Sequence, residues 1–526
     1  MKRKTLSVLM TGAMAISMLA GCQPSSGENS GNTSGSEFQK TESGTAGEVT
    51  SSENSGGESS DGDIYNMVME VITYGFDDPD LQLVEDAVNK ITEASIGVHV
   101  TFMTVPSSDM VTKLSLLSAS GEKIDLVQAG LEANLSDLAK QGLIIPMTDY
   151  LSGTMVDKAG ALLEACYVDG EVYAYPGSYY PGLFCAYIYD KDLAEQYNID
   201  MPDVIESEED WEHIFSQVKE SGMSQYAISL GDGFSSERDY GIVFDALGEE
   251  NYQAYGVVLD IENGDTVVNW YATDEYKQQC ELHRSWYEKG YALPDSVSNG
   301  YTVGDSMMQD QIFGFAGTVG VGTSIASYSQ MTKKNLDYVP IGSETPIIKK
   351  ADAVNTAWAI SSSCENPQKV CDFLELMYTS AELGNLLTYG IEGQHYVVNG
   401  ESRIISYPEG IDAGSVGYGA FIGRYGDDEL LYFREPTTEE FVGSISSYGA
   451  GEATCSRFLG YTFDTTNVQS ELTAVTAAVG QYAPALICGT VDPETVIPEF
   501  LSALESAGIN KIIEENQKQL TAWLEQ

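Results

Sequence analysis

Positive charge is scarce in this 526-residue chain. Lysine and arginine together number 26, against 79 aspartates and glutamates, which gives a formal net charge of −53. A surface of that sign repels phosphate backbones and anionic lipid head groups. We therefore expect no nucleic-acid partner.

Histidine and cysteine are also too few and too scattered to form the familiar metal or disulfide patterns. None of the four histidines has a second histidine at the spacing of a zinc-binding HExxH helix. Besides Cys22 there are seven cysteines with no CxxC pair, and an odd, scattered set predicts buried thiols instead of a disulfide framework. The sequence indicates no metal and no cofactor.

Catalytic motifs are missing as well. The glycine-rich stretch 314–322 (GFAGTVGVG) lacks the GxGxxG order and the Lys-Ser/Thr of a phosphate loop, and 322–326 (GTSIA) lacks the last glycine of a nucleophile elbow. We predict that the chain is not an enzyme. A glycosidase stays open as an alternative, because two carboxylates at the right distance cannot be recognised by sequence spacing among 79 acids.

The first residues have the pattern of a secretion signal. A basic start at 2–4 precedes an apolar run, Leu6 to Met18, which is too short for a stable membrane span and ends in small residues. The segment 19–22 (LAGC) resembles the lipobox of bacterial lipoproteins, in which the cysteine is diacylated. This resemblance implies that 1–22 is a signal peptide and that Cys22 anchors the protein at the outer face of the cytoplasmic membrane.

A flexible tether is expected after the anchor. Residues 23–64 are rich in serine and glycine and have almost no large apolar side chains. Such a composition cannot bury enough surface to fold. The globular part is therefore predicted to begin near residue 65.

The folded part opens with an alternation of strands and helices. Apolar β-rich segments at 67–74, 98–103 and 124–128 are separated by two segments with helical periodicity. This order predicts an α/β fold with a mostly parallel sheet and helices on both faces. Ligands of such sheets collect at the carboxyl ends of the strands, here near Tyr74 and near 125–130.

Three segments resemble a known family. Residues 169–176 (DGEVYAYP) resemble a segment of the solute-binding proteins of bacterial ABC importers. The segments 383–396 (LGNLLTYGIEGQHY) and 491–523 look like the C-terminal region of the LplA-like lipoproteins, a branch of the sugar-type solute-binding proteins. The resemblance implies a two-lobed periplasmic-binding-protein-like fold (type II) with hinge strands between discontinuous lobes. We expect the first lobe to comprise 65–188 and 312–355, and the second lobe 189–311 and 356–526.

A sugar site needs aromatic rings for the C–H faces of the sugar and amides or carboxylates for its hydroxyls. Strand ends and the cleft positions of the family give ten candidates: Tyr74, Asp77, Asp125, Gly130, Tyr179, Tyr180, Trp358, Tyr389, Glu392 and His395. Several have a structural alternative, which is a core position for Tyr74 and Trp358, a loop cap for Asp125, and a cap of the cleft for Glu392 with His395.

Trp211 and Trp286 lie on amphipathic helices and are predicted to be core. Arg238 or Arg284 would suggest a uronate if either lay in the cleft, and the alternative for both is a surface ion pair.

The function implied by the resemblance is capture without chemistry. A monomeric, lipid-anchored extracellular protein would close over a carbohydrate, an oligosaccharide above all, and deliver it to the permease subunits of an ABC importer. A tethered glycan-active enzyme and a surface sensor or adhesion module are the alternatives.

Overall fold

The computed structural model describes most of the chain beyond residue 63. The described residues are 64–73, 78–130, 133–230, 243–248, 255–294, 296, 302–419, 421–422 and 425–525. They belong to one compact unit, Gly62–Gln526. The predicted signal, Cys22 and all of the predicted tether except residue 64 lie outside the described residues. Within the described ranges, no helix has both the length and the apolar character needed to cross a bilayer.

The described helices are mostly of two to five turns, with the longest near the C-terminus. They are α1 (Leu81–Ile96), α2 (Met110–Ser120), α3 (Leu135–Lys140), α4 (Gly153–Ala159), α5 (Lys191–Tyr197), α6 (Glu208–Glu220), α7 (Asp274–Lys289), α8 (Val303–Met308), α9 (Ile325–Thr332), α10 (Lys350–Val354), α11 (Pro367–Thr379), α12 (Ala381–Tyr389), α13 (Glu439–Gly443), α14 (Gln469–Ile487), α15 (Pro493–Ala507) and α16 (Ile509–Leu524). Short 3-10 helices lie at Ser107–Asp109, Gly160–Cys166, Trp270–Ala272, Ile445–Tyr448 and Thr465–Val468.

The described strands form two main sheets and two small ones. They are β1 (Tyr65–Thr73), β2 (Val98–Pro106), β3 (Leu126–Ala129), β4 (Ile144–Ile145), β5 (Tyr167–Val168), β6 (Glu171–Val172), β7 (Ala174–Tyr175), β8 (Leu183–Asp190), β9 (Gly314–Gly320), β10 (Leu336–Pro340), β11 (Ile347–Ile348), β12 (Ala357–Ser361), β13 (Val397–Val398), β14 (Ile404–Ser406), β15 (Phe421–Ile422), β16 (Phe433–Arg434) and β17 (Thr454–Cys455).

The first sheet begins with the predicted β-α-β-α-β unit. Strand β1 pairs in parallel with β2 from Tyr65 opposite Val98 onward, and with β3 through Met69 and Leu126. Between β1 and β2, α1 buries Val84. These three strands and the helices between them confirm the prediction, because their periodicity is local and strong.

The remaining pairings of the first sheet are antiparallel, but most of its described strands point the same way. The strand order is β15-β1-β3-β12-β4, with β2 beside β1 and β7 beside β12. Strand β12 runs antiparallel to β3, β4 and β7, and β15 runs antiparallel to β1. Strands β1, β2, β3, β4 and β7 therefore run in one direction and β12 and β15 in the other, which agrees with the predicted mostly parallel sheet. Strands β12 and β15 enter the sheet from distant parts of the chain, without a βαβ crossover to fix a parallel direction.

The second sheet is built around β8. Its strand order is β10-β8-β11-β17, with β9 also paired to β8. Strands β9, β10 and β11 all run antiparallel to β8. Beside this sheet the predicted core residues Trp211 and Trp286 pack edge to face, with ring centroids 5.2 Å apart, and each is at most 2% exposed.

This pairing differs from the expected division of the chain between lobes. Strands β9 and β10, from the segment 312–355, pair with β8, whereas β12, at the start of 356–526, joins the first sheet. The sequence shows that β12 is a strand but not which partner it takes. All five of its residues are buried, which suits a central position between β3 and β4.

The chain crosses between the two main sheets three times. It leaves the first sheet between β7 and β8, returns between β11 and β12, and leaves again between β15 and β17. The first crossing touches the third, since the Gly182 N–H donates to the Tyr448 carbonyl at 2.9 Å. We call these three segments, 176–182, 349–356 and 448–453, the crossing segments.

The second crossing segment is held by close backbone contact at two glycines. A Cβ on Gly130, at the end of β3, would lie closer to the Val354 carbonyl oxygen than van der Waals contact permits, and its φ is +82°. A Cβ on Gly177, in the first crossing segment, would clash in the same way with the carbonyl of Thr356. Only glycine lets these backbones approach so closely.

We expect Gly130→Ala to destabilise the protein much more than Gly121→Ala. Gly121 has a similar φ of +71° but has no atom within 4 Å of the added Cβ. The left-handed backbone should therefore lower the free energy of unfolding of the Gly121→Ala control by about 1 kcal/mol. Gly130→Ala should lower it by about 3 kcal/mol or more, because the added Cβ also clashes with a neighbouring backbone. Urea denaturation measures both. Equal losses would show that the contact between β3 and the second crossing segment is not tight.

Candidate functional site

A cavity of about 250 Å³ lies at the carboxyl end of β3. After β3 the chain passes through Ala133 into α3, and this turn forms one wall of the cavity. The opposite wall is formed by residues that the chain reaches only after it has crossed to the side of the second sheet. The lining residues are Asn134, Ser136, Asp137, Lys140, Ala246, Leu247, Gly248, Tyr255, Gly256, Thr462, Phe463, Thr465, Leu472, Ile512 and Asn516.

The cavity combines two kinds of surface. Tyr255 and Phe463 supply aromatic rings, while Asn134, Asp137 and Asn516 supply amide and carboxylate groups. Rings match the C–H faces of a sugar and planar polar groups match its hydroxyls. The position agrees with the expectation that ligands collect at the carboxyl ends of the parallel strands.

An ion pair joins the two walls. Lys140 Nζ on α3 lies 3.7 Å from the Asp464 carboxylate, which follows Phe463 on the opposite wall. Both side chains are exposed, 39% and 55%, so water weakens their attraction. Such a contact can open and re-form at little cost in free energy.

None of the eight predicted residues that the structure describes lines this cavity. Tyr74 and Asp77 lie outside the described residues. Gly130 stands at the strand end beside the cavity, but its role in the structure is the close approach to Val354. The other seven are found in four different places, described below.

Asp125 is a buried structural acceptor at the opposite edge of the sheet. It precedes β3, so it lies at the amino end of that strand, not at the carboxyl end. Its carboxylate accepts the Val68 N–H at 2.7 Å and the Tyr65 hydroxyl at 2.6 Å, and the residue is fully buried. Both partners lie on β1, so Asp125 bonds to a neighbouring strand and does not act as the loop cap stated as its alternative.

Trp358 is fully buried in the core of the first sheet. It lies opposite Gln128 of β3 and Tyr175 of β7, and its ring centroid is 5.5 Å from that of Tyr425. The prediction that its strand re-enters the second lobe is contradicted by this pairing. Its position agrees with the core alternative.

Tyr179 and Tyr180 lie in the first crossing segment and are only 6% and 8% exposed. The Tyr179 hydroxyl is 2.6 Å from that of Tyr175, and its ring also packs against Tyr378. Burial raises the pKa of both predicted tyrosines well above the ordinary value. These rings mainly pack the crossing segment, and little of either is open to a ligand.

Tyr389, Glu392 and His395 follow one another around the end of α12 but have different surroundings. Tyr389 is partly exposed and its hydroxyl donates to the Tyr432 carbonyl at 2.6 Å. Glu392 is exposed. His395 is only 1% exposed and takes part in a buried contact with the segment after β1.

That contact fixes the tautomer of His395. Nδ1 accepts the Ile391 N–H at 2.8 Å, so the proton lies on Nε2, which donates to the Asp80 carboxylate at 3.1 Å. Gln394 donates to the same carboxylate oxygen at 3.0 Å. Hydrogen bonds from His395 and then Gln394 hold the pKa of Asp80 below its usual value. Asp80 precedes α1, so the pair fastens the loop after β1 to the end of α12.

Sequence reasoning missed most of the cavity and one arginine. The cavity residues come from segments more than 100 residues apart, and no local pattern connects them. Arg434 lies between two tyrosine rings on the small sheet of β13, β14 and β16. Of the two arginines considered in the sequence, Arg238 is outside the described residues and Arg284 forms the surface ion pair stated as its alternative, at 2.7 Å from Glu288.

The described residues contain no group of three or more histidine, cysteine or acidic side chains placed to hold a metal ion. The seven cysteines beyond Cys22, all within the described residues, form no disulfide.

A comparison with known protein families identifies the family of this chain. Residues 82–382, more than half of it, match the family described as bacterial extracellular solute-binding protein. The chain belongs to that family. Residues 457–525 also match a domain of unknown function (DUF3502).

Known relatives of this solute-binding protein cover almost its whole folded part. A carbohydrate ABC transporter substrate-binding protein of Streptococcus pneumoniae serotype 4 is 29% identical over 448 residues, which is 83% of this chain and 87% of that protein. The crystal structure of the N-glycan transport solute binding protein of S. pneumoniae is 25% identical with a TM-score of 0.74, covering 88% of this chain and 99% of that one.

Two further structures extend the comparison. The same S. pneumoniae protein in complex with Man5GlcNAc is 25% identical with a TM-score of 0.62, covering 88% and 99% of the two chains. A solute-binding protein of Bifidobacterium longum infantis, at 13% identity and a TM-score of 0.59 over 87% of this chain and 99% of that one, shares the fold. The predicted type II solute-binding fold is confirmed.

We expect Asp80→Asn to lower stability by about 1 kcal/mol at pH 7, because a hydrogen bond to a charged acceptor is weakened. The folded pKa of Asp80 is depressed, so its stabilisation is present above the unfolded pKa and is lost as the pH falls through the folded value. In thermal melts between pH 7 and pH 2.5, the melting temperature of the wild type should approach that of Asp80→Asn at the acid end of the range. Glu392→Gln, at an exposed site nearby, should follow the wild type throughout. Parallel curves for Asp80→Asn and wild type would contradict this role.

Proposed function

We propose that this solute-binding protein captures a carbohydrate for an ABC importer. The observation that carries the proposal is the cavity at the carboxyl end of β3, which is lined by amides from both sides of the three crossings and by two aromatic rings from the far side. The names of the relatives support the same class of ligand, since one is a carbohydrate substrate-binding protein and another was crystallised with Man5GlcNAc.

The mechanism we propose is closure without chemistry. The two main sheets are the cores of two lobes, and the crossing segments are the hinge between them. A glycan in the cavity contacts both walls only when they are close, so it stabilises the closed form by that difference in contacts. The permease subunits then recognise the closed form. The exposed ion pair of Lys140 and Asp464 is weak enough to permit this opening and closing.

The strand pairing supports a revised division into lobes. We assign 65–175 and 357–448 to the first lobe and 183–348 and 454–524 to the second, because each range contributes to, or packs against, the corresponding sheet. The LplA-like branch suggested by 383–396 and 491–523 stays a prediction. Ligand contact by Tyr74, Asp77 and Tyr389 also remains a prediction. The same holds for the monomeric state.

The location we propose is the outer face of the cytoplasmic membrane. The family is extracellular. The lipobox-like LAGC of 19–22 supports a diacylated Cys22, and two acyl chains hold a protein at a membrane firmly where one does not.

We expect Man5GlcNAc to raise the melting temperature of the protein, while a peptide mixture at the same concentration does not. A ligand at 100 times its Kd adds about 2.7 kcal/mol to the stability of the folded state. Differential scanning fluorimetry over a panel that starts from Man5GlcNAc measures this. The recovered glycan should be uncut by mass spectrometry, since closure makes and breaks no covalent bond.

A matched pair of variants tests the cavity itself. Asp137→Ala removes a carboxylate from the wall and should weaken glycan binding about tenfold, the cost of a charged hydrogen bond. Asp157→Ala, at an exposed position on α4, should bind like the wild type. A glycan-induced shift that Asp137→Ala leaves unchanged would place the site elsewhere, and shortened glycan products would favour the enzyme alternative.

We expect Cys22→Ser to move the protein from the membrane fraction to the medium, because the thiol that carries the lipid is lost. Immunoblotting of the two fractions measures the distribution. A membrane-bound Cys22→Ser variant would contradict the lipid anchor and leave the carbohydrate proposal unaffected.

A further inference from the structure

Arg434 differs from the other arginines in the described part of the chain. Arg284 pairs with Glu288, Arg403 donates to the carbonyls of 428, 429 and 431, and Arg457 donates to those of 263 and 264. For Arg434 the described residues offer neither a carboxylate nor a carbonyl partner, and its Nη1 is buried without an acceptor. In a chain with 79 acids and 26 bases, an arginine with neither an acid nor a carbonyl partner is unexpected.

The guanidinium is held in place by aromatic rings. Its central carbon lies 3.8 Å from the centroid of the Tyr407 ring and 5.6 Å from that of Tyr389. Stacking on a ring orients the planar group but leaves its N–H donors, which point outward in the plane, without acceptors. The neighbouring acid, Glu435, accepts the Asn399 amide at 2.7 Å and so has another partner.

Burial makes the missing partner costly. A desolvated donor without an acceptor destabilises the folded state, and a charged donor does so more strongly. Burial lowers the pKa of Arg434, as expected for a cation shielded from water. The side chains of Arg434, Tyr407 and Tyr389 all keep partial exposure, so a small group from outside can reach this cluster.

The cluster lies beside a contact between the two sides of the molecule. The next residue, Glu435, accepts at its carbonyl a hydrogen bond from Gln330 of α9, at 2.7 Å. Helix α9 directly follows β9 of the second sheet, whereas Tyr389 ends α12, which packs on α1 beside the first sheet. Arg434 therefore lies next to a contact between the two proposed lobes.

We propose that Arg434, between Tyr407 and Tyr389, binds the carboxylate of an acidic sugar unit, a uronate or a sialate, in the captured glycan. A carboxylate is planar, carries the missing negative charge, and accepts two parallel N–H donors from one guanidinium. The tyrosine faces hold the guanidinium in position and can pack against the sugar ring. The inference rests on the proposed carbohydrate function and specifies the class of its ligand.

Isothermal titration calorimetry with paired glycans tests this assignment. A glucuronate-terminated disaccharide is compared with cellobiose, and sialyllactose with lactose, so that the two arms separate uronate from sialate. In at least one arm the wild type should bind the acidic member about tenfold more tightly than the neutral one, as a charge-assisted bidentate contact provides. This preference should fall with added salt.

Arg434→Gln should reduce the preference to about one, and Arg434→Lys should retain only part of it because the planar fork is lost. Arg284→Gln is the matched control, since Arg284 also lies over a tyrosine, Tyr287, but already has a carboxylate partner. It should keep the full preference. Circular dichroism shows whether each variant folds. If Arg434→Gln does not fold, the glycan preference of Arg434→Lys tests the role of Arg434.

Three results would overturn the inference in ways that can be told apart. Equal binding of acidic and neutral glycans by the wild type, or a preference that survives Arg434→Gln, rejects the role of Arg434 and leaves carbohydrate capture standing. Failure of every glycan, acidic or neutral, to bind the wild type rejects the proposed function together with this inference.

Discussion

Close backbone packing between the crossing segments is the constraint on which the rest of the structure depends. The first segment lies against the second at Gly177 and Thr356, and it is bonded to the third through Gly182 and Tyr448. A side chain at Gly177 would separate these backbones and with them the two sheets they join. Because the three segments are packed together, the chain passes between the two sheets at one place, which serves as the hinge in the proposed closure.

This connection explains where a ligand can be held. Strands β1, β2 and β3 are parallel, so their carboxyl ends meet at one edge of the first sheet. Residues of the C-terminal helices face that edge from the other side of the crossings and complete the cavity. Neither half can surround a solute alone. The weak, exposed contact of Lys140 with Asp464 suits the proposed opening of the cavity, whereas Asp80 and His395 hold the start of α1 against the end of α12.

The sequence predicted local features well and long-range ones poorly. The first three strands are fixed by neighbouring residues, and the structure confirms them. The partner of β12 is decided by burial on both faces against β3 and β4, which no local pattern reveals. Asp125 was placed at the wrong strand end because β3 begins one residue after it. The cavity walls come together from distant parts of the chain. The surroundings of Arg434 depend on rings contributed by other elements, Tyr407 and Tyr389.

The claim that two lobes close over a carbohydrate is tested most directly by small-angle X-ray scattering of the full chain with and without Man5GlcNAc. Closure about the crossing segments brings the two sheets together, so the account predicts a smaller radius of gyration when the glycan is bound and no change with a peptide mixture. An unchanged radius of gyration at a glycan concentration that saturates binding would contradict it.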